Sequence, residues 1–255
     1  MKFDGDRRAA LALGTGVILS GLGQGAAQAA PTLEPDGAAT LKELGAALAA
    51  IPRQREFRER PMIPDDPGLW DDAALQAVLA YKGGPRQVWD NTDLTGPWLN
   101  LMRNSLNSQI WGFRKPDFLC VSATHGLAHL ALYDQDTWDR YQLARIAGGS
   151  VTRNTFIGAP PVGDRGDFQS PEGAFSPKGN AIAVLQERGA VFLACHNAIW
   201  ELASRLANAG HNPDGLPVGR VAADLANHLI PGVVLTPGAV ATVVHLQQNG
   251  FAYAR

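Results

Sequence analysis

Two short apolar runs, DFLCVSA at Asp117–Ala123 and AVFLAC at Ala190–Cys195, constrain this chain more than any other feature in it. A run without polar alternation suits a strand covered on both faces, as in a parallel sheet between helices. The neighbouring segments keep the same rhythm. Arg86–Asp90 (RQVWD) reads as a short first strand. Pro97 opens a helix whose Trp98, Leu101, Met102, Leu106 and Ile110 form one apolar stripe. Leu127–Leu132 and Thr137–Ile146 read as helical. A helix follows Cys195 to about Ala209, another spans Arg220–Leu229, and Gly232–Leu235 (GVVL) is a fourth strand. Ala239–Gln248 is a helix stopped by Gly250, and Phe251–Tyr253 adds a final edge strand. Strands alternating with helices predict an α/β fold: a flavodoxin-like, doubly wound, mostly parallel sheet of about five strands with helices on both faces. In that order the first strand lies between the second and the third, too far from a direct pairing for Cys120 and Cys195 to form a bridge.

Residues 1–30 have a different character. A polar start ends in Arg7-Arg8, an Ala/Leu/Gly stretch runs from Ala9 to about Gly25, and small residues surround Ala27-Gln28-Ala29. This is the pattern of a removable export signal, and the arginine pair points to the twin-arginine route, with cleavage near Ala29 and a periplasmic destination. The stretch is too short and too glycine-rich for a membrane helix. No integral span is expected in the mature form. Residues 31–85 read as an arm: a helical Thr40–Ala50, the charged run PRQREFRERP as an extended solvated strap, and a short helix capped by Asp71 and running to Tyr81. Residues 86–255 are the α/β domain. Its Gly148–Lys178 connection, rich in glycine and proline, has the length of a lid, a binding loop or an interface element.

A net charge of -2 argues against a nucleic-acid surface. Two cysteines make neither a disulfide scaffold nor a four-cysteine zinc module. No G-x-G-x-x-G, P-loop or G-x-S-x-G motif follows a strand, so no cofactor is named by these residues.

Ligands of an open parallel sheet bind beyond the carboxyl ends of its strands. That rule selects Asn91, Thr92 and Asp93; Thr124, His125 and Gly126; Cys195, His196 and Asn197; and Thr236, Pro237 and Gly238. Cys195, where a strand passes into a helix, is either a reactive thiol favoured by the helix N-terminus or a packed core residue. Cys120, inside its apolar run, reads as core. His196 adds a candidate proton partner. His125 and His129 form H-x-x-x-H, which on a helix puts both rings on one face, and they are the candidate metal ligands.

The ending PGVVLTPGAVATVVHLQQNGFAYAR resembles the C-terminus of the DsrE/DsrF-like family of sulfur-handling proteins. AVFLACHNAIWELA is similar to the segment where members carry a cysteine at the end of the third strand, and FLCVSATHGLAHLAL to their second strand and His-Gly turn. The resemblance implies a flavodoxin-like fold, association into oligomers, and a role for Cys195 as carrier of sulfane sulfur with His125 or His196 tuning it. The implied partners are a small sulfur-containing ligand or an acceptor protein, with a homo-oligomer expected. The export signal, the arm and the long connection set this chain apart from small cytoplasmic relays. A second expectation is a non-catalytic periplasmic protein that binds a metal, cofactor or small ligand in the same crevice.

Overall fold

The computed structural model describes residues 33–149, 151–158 and 167–255. The expected export signal, its cleavage site near Ala29 and part of the 148–178 connection lie outside the described residues. Helices α1 (Ala39–Ala50) and α2 (Asp72–Leu79) precede strand β1 (Arg86–Asn91) and α3 (Trp98–Asn107). Strand β2 (Leu119–Thr124) leads through a 3-10 helix at Gly126–Leu132 to α4 (Gln135–Arg140), α5 (Leu143–Ile146) and α6 (Ile182–Glu187). Then come β3 (Val191–Cys195), α7 (His196–Asn208), α8 (Val218–Asn227), β4 (Val234–Thr236), α9 (Ala239–Gln248) and β5 (Ala252–Ala254).

All five strands are parallel, in the order β4-β3-β2-β1-β5. The doubly wound α/β sheet of flavodoxin-like type expected from the alternating pattern is therefore present. Its strand order corrects one expectation: β1 does not separate β2 from β3, which pair directly, Thr124 beside Ala194. Strand order is set by which edge each crossover reaches, and apolar periodicity does not encode it.

The two faces follow from alternation along each strand. Cys120, Phe192 and Leu235 point to a core filled by α3, α7 and α8. Val88, Val121, Leu193, Cys195 and Val234 point to a second core under α1, α2 and α9. The first three crossovers thus run over one face and carry the chain from β1 to β4. The last returns across the other face and lays β5 against β1.

Cys120 and Cys195 are both unbridged. They sit on adjacent strands but face different cores. Cys120 lies four residues before Thr124, and Cys195 lies one after that residue's partner Ala194. At about 3.3 Å per residue this offset is about 16 Å along the sheet, beyond a disulfide's reach of about 7 Å.

The charged strap is extended with about half of its residues exposed, as expected, but it is also tied to the body of the domain. Arg55 donates from Nη1 and Nη2 to both carboxylate oxygens of Asp71, at 3.1 and 3.0 Å, and Asp71 Oδ2 accepts from Leu235 N at 2.7 Å. Phe57 N donates to Asn227 Oδ1 and Asn227 Nδ2 donates to Phe57 O, while Arg60 N donates to Gly219 O. The strap therefore covers the free edge of β4 and runs beside α8, which blocks pairing with another chain there. Asp71 precedes α2 without capping it through its side chain. Its carboxylate serves the sheet edge and Arg55 instead.

Candidate functional site

β3 and β4 are neighbours whose following helices diverge, α7 to one face and α9 to the other. A crevice at the carboxyl ends of such strands is where doubly wound sheets place ligands. Cys195 ends β3 and is the residue before α7. Its Sγ accepts the backbone N–H of Ala239, the first residue of α9, at 3.2 Å. The sulfur thus takes the N-terminal N–H of α9, while the first turn of α7, which Cys195 precedes, makes no hydrogen bond to it. The side chain is nearly enclosed, with the residue 4% exposed. Asn197, exposed in the first turn of α7, lies so close to Gly238 that a Cβ there would come within 3.1 Å of its Nδ2. Thr236, fully buried, spends its hydroxyl on Ala194 O at 2.8 Å.

The H-x-x-x-H pair does not form as expected. The helix begins only at Gly126 and is of 3-10 type, so the two imidazoles diverge. His129 is buried and its Nε2 accepts the backbone N–H of Cys195 at 3.1 Å. The proton of the neutral ring is therefore on Nδ1, which is buried without a partner among the described residues. Burial, reinforced by His125, pushes the His129 pKa down to about 3. The Tyr133 ring lies 5.3 Å away, with its hydroxyl likewise buried and unpartnered. Burial and the nearby Cys195 hold that phenol well above its usual range.

His196 faces the strap. Its Nδ1 accepts from Arg60 Nε and Nη2, at 3.2 and 2.8 Å, and its Nε2 bonds Met62 O at 3.1 Å. These contacts define the tautomer with the proton on Nε2. Burial and then the Arg60 guanidinium lower its pKa against the pull of the Met62 and Pro61 carbonyls. Arg60 is a fully buried cation seated 4.2 Å over the Phe57 ring.

His125 belongs to a separate group. Its Nε2 lies 2.6 Å from Asp90 Oδ1, and the Tyr253 hydroxyl donates to Asp90 Oδ2 at 2.7 Å. Burial raises the Asp90 pKa, but the hydrogen bonds from Tyr253 and His125 outweigh it and hold the carboxyl below its ordinary value. Asn91 and Thr124 are turned into the sheet core, where Asn91 Nδ2 donates to Ser122 Oγ at 2.8 Å and Ser122 Oγ is 2.7 Å from Thr124 Oγ1. Asp93 organises its own turn through Thr95 N and Oγ1. Gly126 has a φ of +56, and a Cβ there would stand 3.0 Å from Thr92 O.

Of the residues selected from the sequence, Cys195, Asn197 and Thr236 lie together where β3 and β4 end, and His129 accepts from the Cys195 main chain. His125 joins Asp90 and Tyr253, and His196 joins Arg60. Arg60, Tyr133, Asp90 and Tyr253 were not singled out by sequence pattern; a charge ending the first strand was the one available signal, at Asp90. No group of three or more His, Cys, Asp or Glu side chains is arranged to hold a metal among the described residues.

Fold and site define a doubly wound α/β protein in which Cys195, at the sheet's carboxyl edge, precedes α7 and accepts from the first N–H of α9. Comparison with protein-family models, with curated proteins and with solved structures finds no match. Among the described residues no helix is long and apolar enough to cross a membrane.

Proposed function

We propose that this is an exported, DsrE-like protein in which Cys195 accepts and passes on sulfane sulfur. The observation that carries the reading is the Ala239 N–H directed at Cys195 Sγ, with the α7 N-terminus beginning at the same residue. In the step envisaged, the Cys195 thiolate attacks the terminal sulfur of a polysulfide or the sulfane sulfur of thiosulfate. A Cys–S–S⁻ persulfide forms as the donor's S–S bond breaks, releasing a shortened polysulfide or sulfite. An acceptor thiolate, on a partner protein or a small molecule, then takes the outer sulfur and regenerates Cys195. No external oxidant or reductant is needed, because each S–S bond formed replaces one broken. Export through a twin-arginine signal and assembly into a homo-oligomer are part of the same proposal and rest on the sequence.

Intact-mass measurement after incubation with polysulfide or thiosulfate tests it. The expected result is addition of one or more sulfur atoms, lost with Cys195→Ser. An absent adduct, or one that survives that substitution, rejects sulfur transfer.

One observation favours a second reading, a non-catalytic small-molecule binder. The main chain of Cys195 adjoins the lining of a cavity of about 220 Å³ through its N–H bond to His129, while the thiol faces the opposite core. Ligand binding unchanged by Cys195→Ser, together with no sulfur adduct, would select that reading.

A further inference from the structure

The loop between the strap and α2, residues 61–69, is held to the domain at one point between its ends. Met62 and Ile63 are 58% and 68% exposed, and no residue of the loop packs into a hydrophobic core. Asp66 and Pro67 accept only from Gly68, Leu69 and Trp70, within their own turn. Among the described residues, the remaining hydrogen bonds of the loop reach His196 and Arg60. His196 Nε2 donates to Met62 O at 3.1 Å, and Arg60 Nη2 donates to Leu69 O at 2.6 Å. Those two buried side chains are bonded to each other at His196 Nδ1.

This lock depends on a neutral imidazole. Arginine nitrogens only donate, so His196 Nδ1 must offer them a lone pair. A proton there would turn both bonds into a contact between two buried cations, a costly state unless a carboxylate compensates. None does: neither residue takes part in an ion pair among the described residues. Asp65 and Asp66 on the loop, Glu59 on the strap, Glu201 on α7 and Arg220 on α8 are all exposed. Arg55 and Asp71 act on Arg60 in opposite directions, and the Tyr133 phenol is the other titratable group near it. With the ring charged, one of the two cations has to move to water, and Arg60 stands at the loop's own hinge.

We propose that residues 61–69 form a pH-released latch over the start of α7, closed while His196 is neutral and open once its ring is protonated. Burial and the Arg60 guanidinium lower the His196 pKa, so the latch is shut at neutral pH. It opens as pH falls through that lowered value, below the ordinary histidine value of about 6.5. Opening bares the first turn of α7, whose His196 directly follows Cys195. The latch rests on the Arg60–His196 contact and is independent of sulfur transfer.

An NMR series on the full chain between about pH 7.5 and 4.5 tests it. Ring nitrogen shifts report protonation of His196, the heteronuclear NOE of the Ile63 amide reports order in the loop, and exchange of the β3 amides reports the integrity of the fold. The Ile63 NOE is expected to fall in step with His196 protonation while β3 stays protected. His196→Gln keeps an acceptor and a donor but cannot be charged, and is expected to hold the loop throughout the series. Arg60→Gln removes the opposing cation and is expected to raise the His196 pKa. A loop already disordered at pH 7.5, or as ordered with His196 protonated as with it neutral, overturns the proposal. So does the same transition in His196→Gln, an unchanged His196 pKa in Arg60→Gln, or unfolding of the whole domain before His196 takes up a proton.

Discussion

The backbone N–H of Cys195 donates to Nε2 of His129 at 3.1 Å, joining the last residue of β3 to the turn that follows β2. This bond fixes the neutral tautomer of His129 and ties the cysteine's main chain to a ring that itself lines a cavity. Replacing His129 with Leu keeps much of the volume but removes the acceptor. The Cys195 N–H is then a buried donor without a partner, a loss of about 1–3 kcal/mol. Urea unfolding measures it, and a change below about 0.5 kcal/mol would show that the bond is dispensable.

Two buried histidines make stability depend on pH. His129 and His196 both have pKa values lowered by burial, so the unfolded chain binds more protons than the folded one on the acid side of neutrality. Stability from this source is complete above the unfolded value of about 6.5 and falls as pH drops below it. Each histidine contributes a slope of about 1.4 kcal/mol per pH unit once its unfolded form is protonated, down to its folded pKa. Denaturation midpoints at pH 7.5 and 5.5 should differ accordingly, and less so in His129→Leu. A flat profile would place both imidazoles in contact with solvent.

Asp90 adds a weaker acid limb with the same sign. Its folded pKa is depressed, so its contribution is present above the unfolded carboxyl value and is lost as pH falls through the folded one. Tyr253→Phe removes one of the hydrogen bonds responsible. NMR titration should then report a higher Asp90 pKa, and an unchanged value would mean that the hydroxyl plays no part.

Asp71 joins the strap to β4, taking Leu235 N, Gln54 N and both Arg55 donors on one carboxylate. Asp71→Ala strands a buried N–H and an arginine together, and about 2–4 kcal/mol of stability should be lost. The exposed β4 edge should also raise the tendency to self-associate, visible by light scattering. Wild-type stability in this variant would show that the strap is held by other contacts.

The two thiols should differ in kind. Burial pushes the Cys120 pKa up to about 12 despite Arg188 and Trp89 nearby, so it should react with a disulfide reagent only after unfolding. Cys195, at the crevice, is expected to supply the single thiol titrated in the folded protein. Reaction of neither thiol before unfolding would make Cys195 a packing residue and remove the chemical basis for sulfur transfer.

Most of the architecture was legible because its signals are local. Uninterrupted apolar runs announced β2 and β3, the stripe from Trp98 to Ile110 announced α3, and Gly250 marked the end of α9. The position of Cys195 followed from the same logic, as the residue where an apolar run meets a helical one. The H-x-x-x-H reading failed because spacing alone does not distinguish a 3-10 turn from an α-helix. The attachment of the strap was not legible for a related reason: Arg55 and Arg60 look solvated, like the exposed residues around them, until the residues that face them are known.

By itself, then, the sequence determined the alternation of strands and helices, the burial of the sheet on both faces and the place of one cysteine at a strand end. Tertiary structure alone decided the strand order, the second helix N-terminus at that cysteine and the partners of each histidine. Ala239 and Cys195 are 44 residues apart, and Arg60 and His196 are 136 apart. Such contacts arise from the direction of the crossovers and from the path of the strap. Neither leaves a periodic trace in the chain, because each is settled by packing between segments that have already formed.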